Sequence, residues 1–224
     1  MRLISISIII ILSILASLLP ITANSAPIGH APWIGESLEG APCLGDHENF
    51  GPFDYLQRQS LPKELSIVES YHFTPEVEQL TRGKTSSPMG DIDYTLRAWP
   101  NHHRALYSTI QHRINTYKEH TRLRYPPAEC YLQRAIRFSP DDATTHMLYG
   151  ILLQRLDHDE QALKEYEKAI NIDPTNPQIA YNLALLLVEL KQFDKALTYA
   201  KDLYGRGFPL PGLMEKLKAA GHWE

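Results

Sequence analysis

The chain has 224 residues, 43% of them hydrophobic, a formal net charge of −4 and two cysteines. That length suits one or two modest domains, and the apolar fraction is that of an ordinary globular protein. The slightly acidic balance excludes the dense positive footprint of a nucleic-acid-binding protein.

Met1 and Arg2 give a short positive start, residues 3–19 are an unbroken run of Leu, Ile, Ser and Ala, and Pro20 then interrupts it. This is the three-part layout of a secretory signal peptide. Ala23 and Ser25 supply the small residues for a cut after Ser25. The alternative is an uncleaved anchor, since about 17 apolar residues just span a bilayer. Export would place Cys43 and Cys130 in an oxidising compartment, where the pair is a candidate disulfide tying the N-terminal segment onto the helical part of the chain. Two separate buried thiols are the alternative. Neither cysteine belongs to a Cys-x-x-Cys pair, which argues against a metal site built on them.

Residues 27–63 are rich in Pro and Gly but also hold Trp33, Phe50, Phe53 and Tyr55. Such a composition disfavours regular elements, while the aromatic residues imply an arm draped over a surface, most simply one in the same chain. Residues 64–71 read as a short strand or an extended connection. Thr74 and Pro75 read as an N-cap and first helical residue, with Val77 and Leu80 as an apolar face and Gly83 as the stop. Residues 91–99 alternate polar and apolar, which predicts a strand able to pair with the Ile67 region as a small hairpin.

From Asn101 onward the period is helical. Asn101 is the expected cap of a helix reaching about His120, with Ala105, Leu106, Ile110, Ile114 and Tyr117 on its apolar face. Pro126 and Pro127 start a second helix over 128–138, and Pro140 closes it. Residues 143–174 then read as two amphipathic helices joined by a tight turn and closed by Pro174.

A shift of 34 residues brings Ala128, Ala162 and Ala196 into line. It also aligns Leu132, Tyr166 and Ala200; Ala135, Ala169 and Leu203; and Pro140 with Pro174. In the first helices of the later pairs, Tyr149 and Gly150 align with Leu183 and Ala184, and Leu153 with Leu187. This pattern of small residues at the crossings and large ones in the gaps resembles the tetratricopeptide repeat, a helix pair that buries its apolar face only by stacking on copies of itself. The resemblance runs from 101 to 209, full in 143–176, good in 177–208 and partial in 101–142. His146 stands where the family usually has a large apolar residue, and Phe208 replaces a closing proline. Residues 211–220 form a single helix suited to capping the array, with Trp223 folding back.

The expected fold is therefore mainly α, a short array of two clear repeats, one divergent repeat and a capping helix, after an irregular segment with a short β-hairpin. The expected divisions are a signal over 1–25, an arm over 26–100 and the array over 101–224.

The resemblance implies a non-catalytic adaptor or scaffold for other proteins. With the signal, the expected place is the cell envelope, most simply a bacterial periplasm, with membrane contact only through an uncleaved signal. The inner groove is expected at Met147, Ile151, Gln154, Gln178, Tyr181, Asn182, Leu185 and Val188. Family members that clamp a C-terminal carboxylate use Lys, Arg and Asn there, and only Asn182 fits, so the resemblance implies an apolar or extended peptide segment as partner. The alternative is a groove filled by the protein's own arm. A second candidate surface is a basic face at Arg104, Arg113, Lys118, Arg122 and Arg124, suited to an acidic envelope component or simply a solvated helix face. A metal protein or enzyme using His72, Asp91, Asp93, His102 and His103 is the other functional class. No motif for nucleophilic catalysis, phosphate binding or a cofactor is present to support it.

Overall fold

The computed structural model describes residues 29–47, 50–116 and 124–223. The expected signal and its cut, as well as Lys118, His120 and Arg122, lie outside the described residues. Among the described residues, ten helices come after a 3₁₀ turn at Tyr55–Gln57: α1 (Pro62–His72), α2 (Pro75–Glu78), α3 (Pro88–Ala98), α4 (His103–Thr116), α5 (Ala128–Phe138), α6 (Ala143–Arg155), α7 (Asp159–Ile172), α8 (Pro177–Glu189), α9 (Phe193–Gly205) and α10 (Gly212–Ala219). None of these is long and apolar enough to cross a membrane.

The repeat is visible in the backbone as well as in the side chains. Asp142 caps α6 by accepting from the Thr145 amide, and Asn176 caps α8 by accepting from Gln178 and Ile179. Each helix ends in a residue with left-handed φ, Asp157 (62°) and Lys191 (58°), 34 residues apart. The next amides close equivalent bonds, His158 to Leu153 O and Gln192 to Leu187 O. These satisfy carbonyls that the helix end leaves without partners. Ala162, Ala169, Ala196 and Ala200 are fully buried where helices cross. Gly150 lies so close to Tyr166 that a Cβ there would sit 2.8 Å from the ring. α10 covers the far end with Leu213 and Leu217, and Trp223 returns edge-on to Tyr204 at 5.5 Å.

Both expected strands are helices, α1 and α3, and among the described residues there is no strand, only an isolated bridge between Glu36 and Pro42. The apolar residues read as alternating in 91–99 also fit a helical face. Met89, Ile92 and Leu96 are buried on one side of α3, Tyr94 is only partly covered, and Ser87 caps the helix at Gly90. The helical option wins because α1, α2 and α4 supply a surface for that face. Asn101 does not cap α4. It is fully buried, accepts from the Tyr55 amide (2.8 Å), and donates to Asp54 (2.8 Å) and Asp142 (2.9 Å). The cap is His102, whose Nδ1 accepts from the Ala105 amide at 3.2 Å.

The arm is pinned to one side of α5. Cys43 and Cys130 form a disulfide with Cα atoms 5.4 Å apart. Around it, Leu38 N donates to Glu129, Gln133 Nε2 to Glu36 O, and Arg134 Nε to Ala31 O (2.7 Å). The Arg134 guanidinium lies 5.0 Å from the Trp33 ring, and Trp33 meets Tyr131 edge-on at 5.2 Å. Further along, Phe50, Phe53 and Tyr55 pack on Trp99 and Val68.

Candidate functional site: the inner groove

The first helices of the pairs, α4, α6 and α8, together with α10 line a cavity of about 860 Å³. Met147, Ile151, Gln154, Gln178, Asn182 and Leu185 all line it, as the repeat register predicts. Tyr181 and Val188 do not. Tyr181 is buried, its ring 5.0 Å from Phe208, and Val188 packs into the core of the last two repeats. The groove-facing stripe of α8 runs 178, 182, 185, 189, so Glu189 takes the place expected for Val188. Lys216 also lines the groove and stands 34 residues after Asn182, so the repeat shift carried into α10 finds it. Tyr107 of α4 is a further wall residue, and the divergent register of the first pair hides it.

The groove is stitched by one polar chain. Tyr166 OH donates to Gln154 Oε1 (2.9 Å), Gln154 Nε2 to Glu189 Oε2 (2.6 Å), and Lys216 Nζ to Glu189 Oε1 (3.1 Å). Burial pushes the Tyr166 phenol up, so it stays a donor at neutral pH. Gln178 Nε2 donates to Asn182 Oδ1 at 3.4 Å, and the Asn182 Nδ2 is buried without a hydrogen-bond partner. A buried amide left so is costly unless something else accepts from it. Arg155, Asp157, Glu189 and Lys216 give the groove two charges of each sign, and no cluster of cations. None of the described residues of 29–58 lines it. The arm covers α5 instead, so the expectation of a groove filled by the arm is not met there.

The basic face is largely neutralised. Arg113 is 6% exposed, held by Glu129 (3.0 and 3.1 Å) and Glu39. Arg104 is paired with Glu78, lies 3.6 Å from Glu69 and sits over Phe73. α4 turns Arg113 toward α5 and the arm and brings Arg104 to Glu78 of α2, while Arg104 itself and Arg124, beside Tyr125, stay exposed among the described residues.

The His and Asp residues of 72–103 do not converge. His72 meets Asp91 (3.1 Å), Asp93 accepts from Tyr131 and Arg97, His102 meets Glu69 and His103 meets Asp142. Each is satisfied in a separate structural pair, and no group of three or more potential ligands stands together among the described residues. Burial pushes the Asp91 carboxyl up, but hydrogen bonds from the Thr85 side chain and backbone, His72 and the Lys84 amide outweigh it and bring it down to about 2. His146, at a site expected to be apolar, is buried with its ring between Glu165 (2.7 Å) and the Pro140 carbonyl (3.2 Å).

Stacked helix pairs around a continuous core, with an open inner face and a capped end, define a short helical-repeat scaffold, a type of fold that is typically non-catalytic. A family model described as TPR repeat matches residues 159–191. Residues 159–191 thus carry a tetratricopeptide repeat. The chain is 31% identical over 83 residues to "BBSome complex member BBS4" of Bos taurus, covering 37% of this chain and 16% of that protein. It is 30% identical over 155 residues to "Protein O-mannosyl-transferase TMTC3" of Homo sapiens, covering 69% and 15% respectively. The chain thus spans only 15–16% of the length of these relatives. A solved structure titled "MamA RS-1 ArsTM double mutant" superposes with a TM-score of 0.42 at 20% identity, over 74% of this chain and 89% of that one. A superposition that loose carries no argument. Repeats of this family generally mediate protein–protein interaction.

Proposed function

We propose that the protein is an exported scaffold that holds an extended, mostly uncharged segment of another protein in its inner groove and so helps assemble a complex of the cell envelope. The observation that carries this reading is the groove itself. Met147, Ile151 and Leu185 offer an apolar surface, and Gln154, Gln178 and Asn182 line it with amide groups suited to a peptide backbone. The balanced charges disfavour a free carboxylate terminus or an acidic polymer as the occupant. Export is supported by the signal-like sequence at the start and by the disulfide, which persists in oxidising compartments. The likeness to a subunit of a larger complex suits an assembly role.

The test is site-specific photo-cross-linking in cells from position 178, on the groove rim. A discrete protein adduct should form and be lost on Ile151→Glu or Leu185→Glu, both only partly buried, while Arg124→Glu should leave it intact. An adduct indifferent to both groove changes would refute the groove as the binding surface. Fractionation and N-terminal sequencing test export, and a chain recovered from the cytoplasm with Met1 intact would refute it.

A further inference from the structure

His102 is fully buried where the arm, α1 and α4 meet. Its ring lies 4.4 Å from Tyr55 of the arm and 4.8 Å from Phe73. Nδ1 accepts from the Ala105 amide, the third residue of α4, and Nε2 stands 3.1 Å from Glu69 Oε1 on α1. A neutral imidazole has one donor and one acceptor. The Ala105 amide therefore fixes Nδ1 as the acceptor and Nε2–H as the donor to Glu69. Protonation would add a hydrogen at Nδ1 facing the Ala105 N–H, two donors head to head, and the cap would be lost. The same histidine seats Tyr55, whose own amide is tied to Asn101 next door.

We propose that His102 is an acid-sensitive latch: neutral, it caps α4 and seats the arm's turn on the repeat array, and protonated, it loses the cap and lets the turn go. The charged and titratable groups around it act both ways. Burial pushes the imidazole below its ordinary range, Glu69 of α1 opposes that, and Arg104 and His103 of α4 add to it, with burial prevailing. Glu78 of α2 reaches the site through its pair with Arg104, and the Tyr55 phenol is itself pushed up by burial. The sign comes from linkage. A histidine whose folded value is depressed contributes stability fully present above its unfolded value of about 6.5, and loses it as pH falls from there toward the folded value. The latch is independent of what the groove binds.

The experiment uses the full mature chain with ¹⁵N-labelled histidine. At pH 7.5 His102 should show an unprotonated Nδ1 and a protonated Nε2, and should titrate below 6.5. Between pH 7 and 5, hydrogen exchange at the Tyr55 and Ala105 amides, referenced to amides of α8 in the same molecule, should lose protection severalfold. His102→Asn retains a capping side chain that does not titrate, and should abolish that pH dependence. A proton on Nδ1 at neutral pH, titration above 6.5, or an unchanged pH dependence in the variant would each overturn the latch. The imidazole spectra of the unaltered chain decide the matter even where the variant folds poorly.

Discussion

Glu129 has no exposure to solvent, and its carboxylate accepts from Arg113 Nε and Nη2 and from the Leu38 amide. Glu129→Leu removes all three acceptor contacts and leaves a guanidinium that is only 6% exposed. Breaking a buried ion pair from one side costs about 3–5 kcal/mol. The Glu39 carboxylate still touches Arg113, but its side chain is 55% exposed and screened, so the expected loss is at the lower end, about 3 kcal/mol. For a chain of this size that lowers Tm by roughly 6–12 °C. Thermal and urea unfolding of Glu129→Leu, Arg113→Met and the double variant form the assay. The double variant should recover most of the loss, because an apolar pair of similar volume often replaces a buried ion pair at little cost. A single-variant loss below about 1 kcal/mol, or a double variant equal to the sum of the singles, would refute the assignment of a desolvated, mutually dependent pair.

Asp91, brought to about 2 by its hydrogen bonds, should contribute roughly 1–2 kcal/mol after screening. That stability is present above its unfolded value of about 4 and is lost as pH falls toward 2. Asp91→Asn should flatten that limb of a Tm-against-pH curve, and an unaltered limb would remove Asp91 as its source. Gly150→Val should cost about 1–3 kcal/mol by forcing the Tyr166 ring away, read by urea unfolding. A neutral result would mean that the α6–α7 crossing is looser than its contacts imply. Thiol titration in denaturant should find no free thiol before reduction and two after. Replacing Cys43 and Cys130 by Ala should lower stability by about 2–4 kcal/mol, and free thiols in the isolated protein would overturn the link.

The sequence by itself determined the repeat, its register and six of the groove residues. A helix pair's crossing demands small residues at fixed spacing, and that demand is local and periodic, so Ala162 and Ala196 announce it without coordinates. It also placed Lys216 within reach, because the shift of 34 continues into α10. Tertiary structure decided the remainder. Residues 91–99 satisfy both a two-residue and a helical period, and only the surface offered by α1, α2 and α4 selects the helix. His102 rather than Asn101 caps α4 because Asn101 is drawn into bonds with Tyr55, Asp54 and Asp142, partners 41 to 47 residues away. The arm's aromatic residues foretold that it would lie on something. Which surface it took depended on Glu129, Cys130, Gln133 and Arg134 sharing one side of α5 and reaching the arm together, a long-range match that no periodicity encodes.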